Sequence, residues 1–156
     1  MGEIFTGVKN EILTRLAAVL AAGVVVVAAA DLALVQPADF AAQLAAKGPR
    51  PAVFMVGPNV LYRSKHIPGS VFAGPGRDEA GLAILKAEAG ELPHDKEIVV
   101  YCGCCPYEMC PNVRPALETL RQMGFTRVKA LMIPTNFATD WVDHGYPVEL
   151  GEAAGK

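Results

Sequence analysis

Outside one nine-residue window this 156-residue chain has no cysteine, so no disulfide reaches in from elsewhere to brace the fold. Basic residues form no stripe. With Lys+Arg at 14 against Asp+Glu at 16 and a net charge of −2, neither nucleic acid nor an anionic membrane surface is an expected partner. No repeat, low-complexity tract or long linker divides Asp31 to Lys156, which is one domain's worth of chain with room for a real core. Nor does any uncharged apolar run reach the roughly 20 residues that a comfortable transmembrane helix needs.

The longest such run, Leu16 to Ala30, has the length of an export signal and closes on Ala28-Ala29-Ala30 before Asp31. Lys9 and Arg15 precede it, but Glu3 and Glu11 offset them. A cleaved signal is the leading reading; an uncleaved anchor and a buried N-terminal helix are the alternatives. This run inflates the hydrophobic content of 52% and the mean hydropathy of +0.29. The expected organisation is residues 1–30 as signal peptide or anchor and 31–156 as a single domain in a periplasmic or otherwise exported location. Membrane contact is expected only if the first segment stays attached.

From Asp31 onward strands alternate with helices. Pro37 to Lys47 opens with a first-turn proline and sets Phe40 and Leu44 on one face, predicting a helix. Ala52 to Val56 reads as a buried strand, and His66-Ile67-Pro68-Gly69-Ser70 as a turn into a brief strand at Val71 to Ala73. Asp78 to Ala89 is helix-like, with Leu82 and Leu85 as anchors, and Glu97 to Cys102 is a strand. Val113, Ala116, Leu117, Leu120 and Met123 recur at helical spacing, with Gly124 suited to the C′ position. Val128 to Ile133 is a further strand. Asn136 caps a last helix in which Phe137 and Trp141 share a core face, and Gly145 and Pro147 stop it. This order predicts a parallel α/β sheet covered on both faces, with ligands at the C-terminal ends of strands.

One such strand ends in the cysteines: Cys102-Gly103-Cys104-Cys105-Pro106-Tyr107-Glu108-Met109-Cys110. A thiol at the end of a strand, followed by a loop and a helix starting near Asn112, rests against backbone N–H groups. Those groups favour the thiolate, the form that attacks sulfur. Pro106, Pro111 and Pro115 each remove a donor and Glu108 adds a like charge, so a small uncharged donor or a persulfide suits this cradle better than a dianion. A phosphatase would need an arginine after a Cys-x₅ loop, and that position holds Glu108.

In order and spacing the chain resembles the rhodanese-like (sulfurtransferase) domain family. The resemblance rests on Tyr62 to Ser70 with its His-Ile-Pro-Gly turn, on the strand Ile98 to Cys102, on Ala116 to Phe125 ending in Gly-Phe, and on Asp140-Trp141 with Gly145-Tyr146-Pro147-Val148. It spans about Leu34 to Glu149. It implies a three-layer α/β/α fold around a central parallel sheet and a persulfide-forming Cys102. Gly103, Cys104, Cys105, Pro106, Tyr107 and Glu108 then form the substrate-binding loop. The implied activity is sulfurtransfer: sulfane sulfur passes from thiosulfate or a persulfide to a thiophilic acceptor or a thiol protein, with no cofactor and no resident metal. Two family features are replaced: an Asp and an Arg after the first buried strand give way to Met55 and Gly57. The usual six-residue loop is also lengthened and carries no basic residue, which points away from thiosulfate as the natural donor.

The remaining cysteines leave alternatives open. Cys104 or Cys105 with Cys110 could staple the loop as a disulfide, as an oxidising compartment favours. Cys102 with Cys105 has the C-x-x-C spacing of thiol–disulfide exchange, and Cys105 or Cys110 could resolve a Cys102 persulfide. Soft thiolates could hold Cu(I) or zinc in a non-catalytic domain. Arg63 and Arg114 are candidates for the pocket mouth. His66 is expected to order its turn, His94 to be a solvated loop residue, and His144 to complement a helix end.

Overall fold

The computed structural model describes residues Ala33 to Gly151; the expected export segment lies outside the described residues. Five parallel strands form the centre: β1 (Ala33–Val35), β2 (Ala52–Met55), β3 (Val71–Phe72), β4 (Ile98–Tyr101) and β5 (Val128–Leu131), in the spatial order β1-β5-β4-β2-β3. β4 lies in the middle, in register with β2 from Ala52↔Ile98 to Met55↔Tyr101 and with β5 from Ile98↔Val128. Its four residues Ile-Val-Val-Tyr are all buried, as a central parallel strand covered on both faces requires.

The helices follow local signals. α1 (Pro37–Ala45) starts on proline at its first turn, where no N–H is needed. α3 (Glu79–Ala89) is capped by Asp78, whose carboxylate accepts the Gly81 N–H at 2.8 Å. α4 (Val113–Gln122) ends at Met123, and Gly124 follows with φ +93°, where a side chain would be strained. The expected elements are in place, with strand ends trimmed by one or two residues. The last helix is instead a π-helical turn, Ala138–Val142, entered through Asn136, whose side-chain oxygen accepts the Thr139 N–H at 2.9 Å. Three elements were not foreseen: β1, a short helix α2 (Asn59–Ser64), and a 3₁₀ turn at Tyr107–Met109 inside the cysteine loop.

The two faces of the sheet carry separate cores, giving three layers. On one face Leu85 and Ala89 of α3 and Val113, Ala116, Leu117 and Leu120 of α4 pack on Phe54, Ile98 and Val100, and this core also holds Cys102 and Cys110. On the other, Phe40 and Leu44 of α1 join Val53, Val99, Tyr101, Leu131, Phe137 and the fully buried Trp141. The two distant sequence landmarks meet at one edge of this second core. His66 and Glu149 exchange backbone hydrogen bonds of 2.9 and 2.8 Å, and the Trp141 indole N–H donates to the Pro147 carbonyl at 2.8 Å.

A side chain at position 81 would meet backbone: a Cβ there lies 1.8 Å from the Pro75 carbonyl oxygen. Gly81→Ala is therefore expected to destabilise the fold by about 2–3 kcal/mol through overpacking. Asp78→Ala, which loses only the cap, should cost about 1 kcal/mol. Denaturant midpoints of the two variants check the order.

Candidate active site at the end of β4

β4 delivers Cys102 into a space with almost no slack. The Cys102 side chain is 2% exposed. The chain leaving β2 passes so close that a Cβ on Gly57 would lie 2.8 Å from the Cys102 sulfur and 2.8 Å from its carbonyl oxygen. The residue where the family resemblance calls for arginine is a glycine, and the Cys102 sulfur fills the place a side chain would take. Gly103 turns the chain with φ +80°, a left-handed conformation, and a Cβ there would strike Phe137 at 2.6 Å. The Gly103 carbonyl accepts the Phe137 N–H at 3.0 Å, and the Tyr107 N–H donates to the Ile133 carbonyl at 2.7 Å. The loop is fastened to the chain after β5 at both places.

Among the described residues Asn112 is the one side chain whose N–H reaches the Cys102 sulfur. It is 3% exposed, its Oδ1 accepts the Arg77 N–H at 3.2 Å, and its amide N–H donates to Cys102 Sγ at 3.3 Å. Holding the oxygen at Arg77 leaves the NH₂ for the sulfur. Sequence reading placed Asn112 only at the start of α4. The available signal was an asparagine at a helix start, and here its side chain makes no cap hydrogen bond, which leaves it for the sulfur.

The four thiols are free and form a chain of contacts. Cys102 Sγ lies 3.1 Å from Cys104 Sγ, which lies 3.0 Å from Cys105 Sγ. The sulfurs of Cys102, Cys104 and Cys110 are all within 4.8 Å of one another. These three are a soft donor set of the kind that could share one ion. However, tetrahedral ligation at the usual zinc–sulfur length separates sulfurs by roughly 3.8 Å. The Cys102–Cys104 pair is tighter than that and packs as thiols.

Charge in this cluster settles on Cys110. A hydrogen bond from Cys102, backbone N–H groups of Asn112 and Val113 at the start of α4, and Cys105 together hold its thiol down to about 5 against burial. Cys102 moves the other way, raised chiefly because it lends its proton to Cys110 and also because it is buried. Cys105 is pushed up to about 12, first by burial and then by Cys104 and the Cys110 charge. Cys102 and Cys110 thus titrate as a pair that gives up one proton readily and the second with difficulty.

Cys102 separates two unlike spaces. On one side is a pocket of about 510 Å³ walled by Met55, Leu61, Tyr101, Phe137 and Val142, with Ser64, Lys65 and Asp143 as polar lining. Gly103 and Cys104 face this pocket too. On the other side is a crevice with no room for water, bounded by Cys102, Gly103, Cys105, Tyr107, Cys110 and Ile133. The expected substrate-binding loop is therefore divided: only Gly103 and Cys104 line the larger pocket.

Tyr107 is buried, with its hydroxyl unpartnered among the described residues, and Glu108 is exposed. Arg114 lies over the Tyr107 ring at 5.8 Å and pairs with Glu108 at 3.7 Å, so it steadies the 3₁₀ turn from outside and is absent from the pocket wall. Arg63 faces a different depression, beside Asn59, Tyr62 and Gly151, and the adjacent Lys65 is the cation that lines the pocket.

The histidines are structural. His66 Nδ1–H donates to the Tyr62 carbonyl at 2.8 Å, and the ring stacks on the Tyr62 ring at 4.0 Å. His94 is an exposed turn residue, as expected, with its ring edge-on to Phe125 at 5.4 Å, and His144 stacks on Tyr146. The Tyr101 hydroxyl ties the His66–Ser70 turn to β4 through the Ile67 N–H and the Ser70 hydroxyl, both at 3.2 Å. Burial raises its ionisation well above the ordinary phenol range.

A parallel sheet with a cysteine loop between its central strand and the next helix defines a class of three-layer α/β domains. Within that class the family model described as "Rhodanese-like domain" matches residues 37–132, and the chain belongs to this family. Similar solved structures agree in fold. The Alr3790 protein from Anabaena sp. has a TM-score of 0.60 at 19% identity, covering 77% of this chain and 95% of that one. The BH2092 protein from Bacillus halodurans has a TM-score of 0.59 at 24% identity, covering 76% and 77%. A thiosulfate sulfurtransferase from Pseudomonas aeruginosa has a TM-score of 0.56 at 19% identity, with 78% of this chain aligned to 21% of that longer one. Among curated proteins none matches.

The paired titration has a sign that can be read from stability. Cys110 falls from an ordinary thiol value of 9.0 to about 5 on folding, so its contribution is absent below pH 5, grows between 5 and 9, and is complete above. Cys102 is raised on folding, so its contribution is present below pH 9 and is lost above it, where only the unfolded chain ionises. The denaturant midpoint of reduced protein should therefore rise from pH 5 to 9 and fall beyond. Cys110→Ser should flatten the rising limb relative to wild type.

Proposed function

We propose that the domain transfers sulfane sulfur through a persulfide on Cys102. Cys102 passes its proton to the Cys110 thiolate and, as thiolate, attacks the outer sulfur of an organic persulfide R–S–SH. The donor's S–S bond breaks, RSH leaves with that proton so that Cys110 is a thiolate again, and Cys102 holds the sulfur until a thiophilic acceptor takes it. The observation that supports this reading is that Cys102 lines the 510 Å³ pocket while the Asn112 amide donates to its sulfur. Membership in the rhodanese-like family supports the same chemistry.

The pocket wall supports an organic persulfide over thiosulfate as donor. Met55, Leu61, Tyr101, Phe137 and Val142 offer apolar surface to the body of a thiol compound. Lys65 and Asp143 bring one charge of each sign, so the pocket has no net attraction for a dianion. An exported location, resting on Leu16 to Ala30, would place these thiols where organic persulfides and thiol proteins meet them in an oxidising medium. Cell fractionation with N-terminal sequencing of the recovered protein tests that part.

Thiol–disulfide exchange is a second reading, favoured by the 3.1 Å contact of Cys102 with Cys104. It differs from the first in that no sulfur atom is acquired, and reduction of insulin without thiocyanate formation would mark it.

Peptide mass after exposure of reduced protein to cysteine persulfide should show one added sulfur on the Cys102 peptide, discharged by cyanide. Cys102→Ser should show none. At matched concentration the rate constant for organic persulfide should exceed that for thiosulfate at least tenfold, and Lys65→Ala should lower the thiosulfate rate more than the persulfide rate. Equal or better use of thiosulfate would overturn the donor assignment.

A further inference from the structure

The two spaces that Cys102 borders assign a role to Cys110 that rests on the persulfide reading and extends it. We propose that Cys110 resolves the Cys102 persulfide, releasing hydrogen sulfide and leaving a Cys102–Cys110 disulfide. The domain would then reduce sulfane sulfur rather than only pass it on.

The geometry has three parts. First, an extra sulfur on Cys102 has room only on the pocket side, because the crevice behind holds not even a water. Second, Cys110 borders that crevice and does not line the pocket, so its sulfur can reach Cys102 Sγ without crossing the space the outer sulfur takes. Displacement at sulfur proceeds with entering, central and leaving atoms in line, through attack by a thiolate. Third, the Cys110 and Cys102 sulfurs lie within 4.8 Å of each other, and both side chains are almost fully buried, at 5% and 2% exposure. Their approach needs a local shift and no opening of the fold. Cys104 stands on the pocket side, 3.1 Å from Cys102. That position suits transfer of the outer sulfur, since Cys104 lines the pocket that has room for it.

The step balances without an outside oxidant. The Cys110 thiolate attacks Cys102 Sγ of Cys102–S–SH. A Cys102–Cys110 bond forms, the bond to the outer sulfur breaks, and HS⁻ leaves into the pocket carrying its proton. The sulfane sulfur is reduced by two electrons and the cysteine pair is oxidised by two. Two thiol equivalents, from a dithiol protein or a low-molecular-weight thiol, return the pair to the reduced state. Backbone N–H groups of Asn112 and Val113 facing Cys110 favour its thiolate, in agreement with the attacking role.

The test uses the full chain, reduced, freed of small thiols and mixed under nitrogen with a slight excess of cysteine persulfide. Wild type is expected to release about one sulfide per chain and to yield a Cys102–Cys110 disulfide peptide. Cys110→Ser and Cys110→Ala are expected to keep the added sulfur on Cys102 and to release sulfide at least tenfold more slowly. Wild-type protein that retains the added sulfur on Cys102 as both variants do would overturn the proposal while leaving the Cys102 persulfide standing. A disulfide from Cys102 to Cys104 or Cys105 in wild type would overturn it as well. Absence of added sulfur and of sulfide in all three proteins would overturn it together with the persulfide reading.

Discussion

The Cys102 sulfur is enclosed by parts of the chain that come from four separate elements, and each of them gives up something to make the enclosure. The segment after β2 gives up a side chain at Gly57, 2.8 Å from the sulfur by the position its Cβ would take. The start of α4 gives up the Asn112 side chain as a helix cap so that its amide meets the sulfur instead. The turn after β4 adopts the left-handed φ at Gly103 against Phe137. The segment after β5 holds the loop through the carbonyls and N–H groups of Ile133 and Phe137. A side chain added at Gly57 or Gly103 would press on the sulfur or on the ring that walls its pocket. The site therefore depends on close packing before it depends on charge.

Charge follows from that enclosure. In rigid, dry surroundings two neighbouring thiols cannot both ionise, because the second thiolate would face the first with no water to screen it. The proton goes to the member with fewer donors. Cys110, with two backbone N–H groups at the start of α4, keeps the charge, and Cys102 keeps the hydrogen. The longer loop is what makes this division. It carries Cys110 round to the helix end, and the 3₁₀ turn at Tyr107–Met109, steadied by Arg114 on its outer side, sets the distance between the two sulfurs.

Much of this was legible in the sequence where periodicity or punctuation was strong. Val113 to Met123 announced α4, Pro37 announced α1, and the buried run Ile98 to Tyr101 announced the central strand. The parallel three-layer architecture followed from their alternation. What was not legible lacked a local signature. β1 has only three residues, and its exposed Ala33 and Leu34 give no alternation; it is a strand because β5 is beside it. α2 buries none of its residues and sits between Gly57-Pro58 and the His66 turn, where turn chemistry dominates the local reading. Within the site, Cys102 was evident as the end of a strand. The partition of the loop between two spaces was not, because it depends on which side of Gly103 the chain after β5 passes. Arg63 and Lys65 illustrate the same limit. They are two residues apart at the end of a short helix, and only the angle of that helix decides that the second lines the pocket and the first does not.

The separation of the two cores by the sheet also gives the molecule an internal gauge. Its single tryptophan, Trp141, lies in the layer opposite Cys102 and Cys110, fully buried, stacked at 6.1 Å on Phe137 and anchored to the Pro147 carbonyl. Its emission follows the integrity of the α1 face and of the clasp between the C-terminal segment and the His66 turn. The pocket beside Cys102 takes part of its wall from this same layer: Phe137, on which the indole stacks, and Val142, next to Trp141 in the chain, both line it. Tryptophan emission therefore reports on the scaffold and on the pocket wall together, whereas Cys110 and the crevice it borders belong to the other core.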